Sequence, residues 1–298
     1  MKIFDCFMYF DEDLVLDLRL NYLDQFIDQF VIVESTFNHN GEKREPKFDI
    51  QKFKKFENKI TYLLIDHEGK DFLQINDSDT DEQKTGKKVM NALKRENYQR
   101  NFLHKGLSDA SEDDWIIISD LDEIPNLKKN NLVECNDKIV FFKQMMIYYK
   151  FNLLLEEFPW IGSKACKKKY LKSPQWLRNI KDRNYQWWRI DTFFSNTKYS
   201  NIKIFEDGGW HFSYIKNPAE IEKKLKSYLH HVEYETSPLG EKKISELIKE
   251  KKTVYNLKVD SRSNKFDEGN KLKKIRLNLL PRYISDNIIK FKNWIENE

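Results

Sequence analysis

The chain has 298 residues, enough for a sizeable core, and its 40% hydrophobic and 34% charged content describes a globular protein with a heavily charged surface. A formal charge of +4 is too small to argue for a nucleic-acid partner, and no apolar run of about 18 residues is present to span a membrane. Cys6, Cys135 and Cys166 lie far apart with no Cys-x-x-Cys pair, which excludes a disulfide framework and a zinc ribbon.

Ile3 to Phe10 reads as a first strand. Asp11-Glu12-Asp13 supplies an N-cap and an acidic first turn, and Leu16, Leu20, Leu23, Ile27 and Phe30 recur at helical spacing. Phe30-Val31-Ile32-Val33-Glu34 is the next strand, completing a βαβ unit, and a polar loop through Gly41 follows. Ile60 to Ile65 is a third strand. Residues 66–86 are polar and acidic, the pattern of a mobile loop near a site, and Lys87 to Leu107 reads as a long helix.

That helix leads into Trp115-Ile116-Ile117-Ile118-Ser119-Asp120-Leu121-Asp122-Glu123-Ile124-Pro125. The β-branched run reads as a strand buried on both faces of a parallel sheet, and Pro125 forbids its continuation. Ligands collect at the carboxyl ends of such strands. Alternation points Asp120 and Asp122 the same way and turns Leu121 to the core. Two like charges side by side favour a cation between them, and hard oxygen ligands suit Mn²⁺ or Mg²⁺.

Lys138 to Phe142 and Met145 to Leu155 read as further strands, whereas residues 156–200 look irregular, basic and aromatic. Ile202 to Phe205 resumes a strand, Gly208-Gly209 reads as a break whose glycines let the backbone approach closely, and Trp210-His211-Phe212-Ser213-Tyr214 follows it. Asn217, Pro218 and Glu220 form a capping-box-like helix start, and charged helices run to the end. The expected architecture is α/β: a nucleotide-binding sheet flanked by helices over 1–215, with a helical C-terminal extension over 216–298 packed on it. The composition and N-terminus predict a cytoplasmic protein, with peripheral membrane contact left open.

Several side chains are candidates for chemistry. Glu34 ends a strand and is placed to accept hydrogen bonds from a base or ribose, unless it pairs with a nearby Lys or Arg. His211 either completes a metal site with Asp122 or is a satisfied structural histidine. Arg100, on the helix before the acidic strand, is a candidate to face a diphosphate. Trp187, Trp188 and Arg189 suit an acceptor surface that stacks sugar rings, with core packing as the alternative for the tryptophans. The sequence has no Gly-x-Gly-x-x-Gly, no Gly-Lys-Ser/Thr and no Gly-x-Ser-x-Gly, which removes support for dehydrogenases, P-loop enzymes and α/β-hydrolases.

The combined pattern resembles glycosyltransferase family 17, the β-1,4-mannosyl-glycoprotein β-1,4-N-acetylglucosaminyltransferase-like proteins. The residues that carry the resemblance are Asp17-Leu18-Arg19, Phe30 to Phe37 with Gly41-Glu42 and Lys47-Phe48, Asp120 to Pro125, and Gly209-Trp210-His211-Phe212-Ser213. It implies a GT-A-like fold, a UDP-N-acetylglucosamine donor, a divalent metal, a glycan or glycoconjugate acceptor and inversion at the anomeric carbon. Animal members carry an N-terminal membrane anchor, and no such segment is expected here. On this reading the metal is held by Asp122 with His211, and Asp120 orients the ribose or a metal-bound water. Glu123 and Asp207 are the candidates for the base. Two rivals stay open: an aspartyl-phosphate hydrolase with Asp120 as nucleophile, and a non-catalytic glycan-binding module.

Overall fold

The β-branched runs of the first 120 residues all become neighbouring strands. β1 (Ile3–Met8), β2 (Gln29–Ser35), β3 (Ile60–Ile65) and β4 (Trp115–Asp120) are parallel and stand in the order β3-β2-β1-β4. Helices α1 (Asp13–Leu23) and α2 (Asp81–Phe102) make two of the connections between them. The computed structural model describes residues 1–183, 185–186, 188–227, 234, 238–256 and 269–297.

The sheet then changes character. β8 (Trp160–Lys167) lies antiparallel to β4, and β6 (Ile139–Tyr148) lies antiparallel to β8. The short β7 (Leu153–Leu154) and β10 (Lys273–Lys274) finish that side. β9 (Ile202–Ser213) runs parallel to β6 and also pairs antiparallel with β5 (Glu123–Pro125), which sets Glu123 opposite His211. Fold class is therefore α/β, a mixed sheet flanked by helices.

Several boundaries differ from expectation. Residues 156–200 are not irregular: they contain β8, α3 (Pro174–Asn179) and α4 (Ile190–Phe193). Gly208-Gly209 does not break β9. A Cβ at Gly208 would stand 2.3 Å from the Lys143 nitrogen, and one at Gly209 would stand 2.2 Å from the Ile124 oxygen. The glycine pair therefore lets β9 pass between β6 and β5, and Gly209 does so at φ +125°. Helix α2 starts earlier than expected, because Thr80 and Gln83 form a reciprocal capping box. It ends at Phe102, and Leu103–Leu107 form a 3₁₀ turn. β6 stops at Tyr148 instead of continuing to Leu155.

α5 (Pro218–Ser227) has the expected cap: the Glu220 amide donates to Asn217 and the Asn217 amide to Glu220. After α6 (Gly240–Lys249), the helices α7 (Arg282–Asp286) and α8 (Ile288–Phe291) bring Leu280, Ile284, Phe291 and Ile295 into the same core as Leu16, Leu20 and Leu23 of α1. No helix among the described residues is long and apolar enough to cross a membrane.

Candidate active site

The acidic turn is built from beneath. Arg19 of α1 is fully buried and grips Asp5 of β1, with Nε and Nη2 donating at 2.8 and 2.6 Å. Its Nη1 donates to the carbonyls of Asp120, Leu121 and Glu123 at 3.1, 3.0 and 2.7 Å. A strand that ends in a turn leaves carbonyls without ladder partners, and this guanidinium supplies the missing donors. Leu121 is buried, while Asp120 and Asp122 both line an open cleft of about 430 Å³ at the ends of β1 and β4, as the alternation predicts.

Asp120 lies between two arginines. Its Oδ1 is 3.1 Å from Nη2 of Arg100, and its Oδ2 is 3.1 Å from Nη2 of Arg178. Burial pushes its carboxyl up, but the Arg178 and Arg100 charges prevail and hold it well below the usual carboxylate range. Arg100 also donates to Gln175 at 2.6 Å and Glu96 at 2.7 Å; its buried Nε has no partner among the described residues.

Asp122 faces a different pair. His211 Nε2 is 3.4 Å from its Oδ1, and Lys224 Nζ is 3.7 Å from its Oδ2. The β5–β9 register brings His211 here, and the Phe212 amide donates to the Asp122 carbonyl at 2.8 Å. Burial pushes the His211 imidazole down, yet the Asp122 charge outweighs it and raises the imidazole above its ordinary value. Lys224 of α5 also reaches Glu12 at 3.1 Å. Burial would raise the Glu12 carboxyl, but Lys224 and Lys216 bring it down to about 2. As N-cap of α1, Glu12 makes no side-chain cap bond. Its carboxylate turns to the cleft instead.

The structure thus gathers Asp120, Asp122, His211 and Arg100 around one cleft. Other expected site residues lie elsewhere. Glu123 is fully buried and accepts from Trp160 Nε1 (2.7 Å), the Asp120 amide (2.8 Å), and Nη1 and Nη2 of Arg178 (2.7 and 3.1 Å). Four donors leave that carboxylate no room for a proton from outside. Glu34 is also fully buried. It accepts from the Lys47 amide (2.7 Å), the Phe48 amide (3.0 Å) and the Tyr62 hydroxyl (2.9 Å), and pairs with Arg44 at 3.0 Å. Its partners are within the chain, and it fastens the loop after β2. Asp207 does not line the cleft; it is paired with Lys129 at 2.6 Å beside a separate groove. Trp188 and Arg189 do not line the cleft either, and Arg189 is tied to Asp191 at 2.9 Å. Trp187 lies outside the described residues.

Sequence reasoning missed Arg178, Lys224, Glu12 and Trp160. Arg178 had one legible signal: it sits on α3, whose Ser173 cap accepts from the Trp176 amide at 3.1 Å ahead of Pro174. Trp160 opens β8 beside the site, its ring 5.2 Å from that of His211.

Among the described residues no group of three or more His, Cys, Asp or Glu side chains is arranged to hold a metal ion by itself. Asp122 and His211 nevertheless suit a divalent cation. Their facing atoms are 3.4 Å apart, near the separation of about 3 Å expected of adjacent ligands in an octahedral Mg²⁺ or Mn²⁺ site. His211 Nδ1 is buried without a protein partner among the described residues. Such ions commonly keep waters and complete their shell with substrate phosphates. Asp120, with each oxygen on a guanidinium, is less available as a ligand.

The model of glycosyltransferase family 17 matches residues 1–296, nearly the whole chain. No curated protein matches it.

Proposed function

The chain belongs to glycosyltransferase family 17, and from that premise we propose a metal-dependent inverting transfer of N-acetylglucosamine from UDP-N-acetylglucosamine to a glycan acceptor, on a GT-A-like sheet. The family membership makes the protein a glycosyltransferase. The observation that carries the finer reading is the division of labour in the acidic turn: Asp120 is charge-neutralised by Arg100 and Arg178, whereas Asp122 pairs with an imidazole.

Asp122 and His211 are the residues that would hold Mn²⁺ or Mg²⁺. When bound, the metal supplies Lewis-acid stabilisation of the departing diphosphate. Arg100 adds a fixed positive charge on the same side of the cleft, aligned by Asp120, Glu96 and Gln175. Arg178 is a positioning residue, since it links Asp120 to the buried Glu123 and fixes the spacing of the turn. Trp160 is held through Nε1 by Glu123 and offers an exposed indole face beside His211, suited to stacking on a sugar ring.

Inversion requires a base for the acceptor hydroxyl. Of the two carboxylates expected from sequence, Glu123 is enclosed and Asp207 is outside the cleft. Glu12 lines the cleft, and because Lys224 and Lys216 hold it as a weakly basic carboxylate we assign it to accept a hydrogen bond from the acceptor hydroxyl and orient it. Both Asp120 oxygens are engaged by guanidiniums, which weighs against Asp120 as a phosphohydrolase nucleophile.

Calorimetric titration with UDP tests the proposal. Mn²⁺ should tighten UDP binding to the wild type, and Asp122→Ala should bind UDP no better with Mn²⁺ than without it while keeping its melting temperature. Metal-enhanced binding that survives in Asp122→Ala would refute the metal assignment.

A further inference from the structure

Away from the cleft, the segment that follows α3 sets exposed apolar side chains among basic ones. Residues 181–198 carry Lys181, Arg183, Arg189 and Lys198 against Asp182 and Asp191. Trp188, Ile190 and Phe194 are 60%, 73% and 86% exposed within this same stretch. Arg183, Arg189 and Lys198 gather on the ring of buried Tyr185, at 4.9, 5.3 and 5.8 Å from its centroid. Asp191 balances part of this charge by pairing with Arg189 and Lys198. Asp182, its side chain still exposed, pairs with the buried Lys164 at 2.6 Å.

A solvated charged face accounts for the cations but not for three large apolar side chains among them. A second copy of this chain on the same face would set arginine against arginine. A bilayer with anionic headgroups satisfies both halves of the pattern: rings and branched side chains enter the headgroup–acyl boundary, and the cations meet lipid phosphates. We propose that the face carrying Arg183, Trp188, Arg189, Ile190, Phe194 and Lys198 docks this protein on an anionic lipid surface. The segment is anchored to the sheet for that task. Lys164 Nζ donates to the carbonyls of Arg178 and Ile180 at 2.9 and 2.6 Å, and the Lys181 amide donates to Thr197 at 2.8 Å. The inference is independent of which sugar or acceptor is used.

Vesicle co-sedimentation tests it with the full chain. The wild type should bind vesicles of phosphatidylcholine mixed with phosphatidylglycerol, should not bind phosphatidylcholine alone, and should be released by added salt. Trp188→Ser/Ile190→Ser/Phe194→Ser and, separately, Arg183→Gln/Arg189→Gln/Lys198→Gln should each lower the bound fraction about tenfold or more. Melting temperatures serve as the control for folding, and if the apolar variant fails to fold the charge variant still decides. No binding of the wild type to anionic vesicles, or binding that neither variant weakens, overturns the proposal. So does an oligonucleotide that binds the wild type and displaces it from the vesicles, because the surface would then be one for nucleic acid.

Discussion

Arg178 reaches Glu123 with both terminal nitrogens and Asp120 with one of them. Removing it strands a fully buried carboxylate, so Arg178→Ala should cost about 3–5 kcal/mol of stability. Arg178→Lys should recover only part, because an ammonium cannot reproduce the planar fork. Urea denaturation measures both, and a loss in Arg178→Ala below about 1 kcal/mol, the size of an exposed pair, would contradict the buried-pair reading. Glu12 and His211 contribute at opposite ends of the pH profile, Glu12 alongside Asp120 at the acid end. The folded Glu12 carboxyl lies at about 2 against an ordinary 4.5, burial being outweighed by Lys224 and Lys216. Its contribution, on the order of 3 kcal/mol, is therefore complete above about pH 4.5 and lost as pH falls toward 2. In Glu12→Gln that acid limb should flatten. The His211 imidazole is raised by Asp122 despite its burial. Its contribution is complete below the ordinary histidine value, about 6.5, and lost as pH rises through the higher folded value. Metal-free melting temperatures between neutral and mildly alkaline pH should fall less steeply in His211→Gln than in the wild type.

β9 carries His211 to Asp122 only because two glycines let it pass close to β5 and β6. Gly209→Ala puts a Cβ against the Ile124 carbonyl at a positive φ. Backbone strain alone should cost about 1–3 kcal/mol, and the clash adds to it. The same variant should weaken metal-dependent UDP binding, since the β5–β9 register sets the Asp122–His211 spacing. Unchanged binding in a destabilised protein would show that the register is structural only. The same elements show what the sequence makes legible. β2 and β4 were readable because residues 30–33 and 115–118 run as unbroken apolar stretches through strands buried on both faces. β8 was not, because its buried residues are Gly162, Ser163, Lys164, Ala165 and Cys166, small or charged side chains without a hydrophobic period. Lys164 is tolerated inside because backbone carbonyls and Asp182 satisfy it. The glycine pair was read both as a break and as a place of close backbone approach, and only the second reading holds. Of the residues that line the cleft, Asp120 and Asp122 were expected from a strand end, Arg100 from the helix before it, and His211 from its glycine pair and the family resemblance. Arg178, Lys224 and Glu12 were missed because their partners are set by tertiary packing, with no local spacing to reveal them.

The last turns of the chain belong to the same core as its first helix. Phe291 is fully buried, stands 5.2 Å from the ring of Phe151, and lies near the contacts of Tyr283 and Lys290 with Asp17 of α1. Phe291→Ala should therefore cost about 3–5 kcal/mol. Equilibrium unfolding by urea should be a single transition by both fluorescence and circular dichroism. Two separated transitions would mean that the C-terminal residues form an independent unit. Arg19 joins the consecutive elements β1 and α1 to the carbonyls of the acidic turn, which is distant in sequence. This has a consequence for anyone who would transplant the site. Residues 115–125 grafted onto a foreign sheet would carry the carboxylates and leave the turn without its floor, so its charges would splay apart. The smallest portable cassette includes Asp5 and Arg19, and a randomised library confined to the turn would explore shapes that this guanidinium has already ruled out.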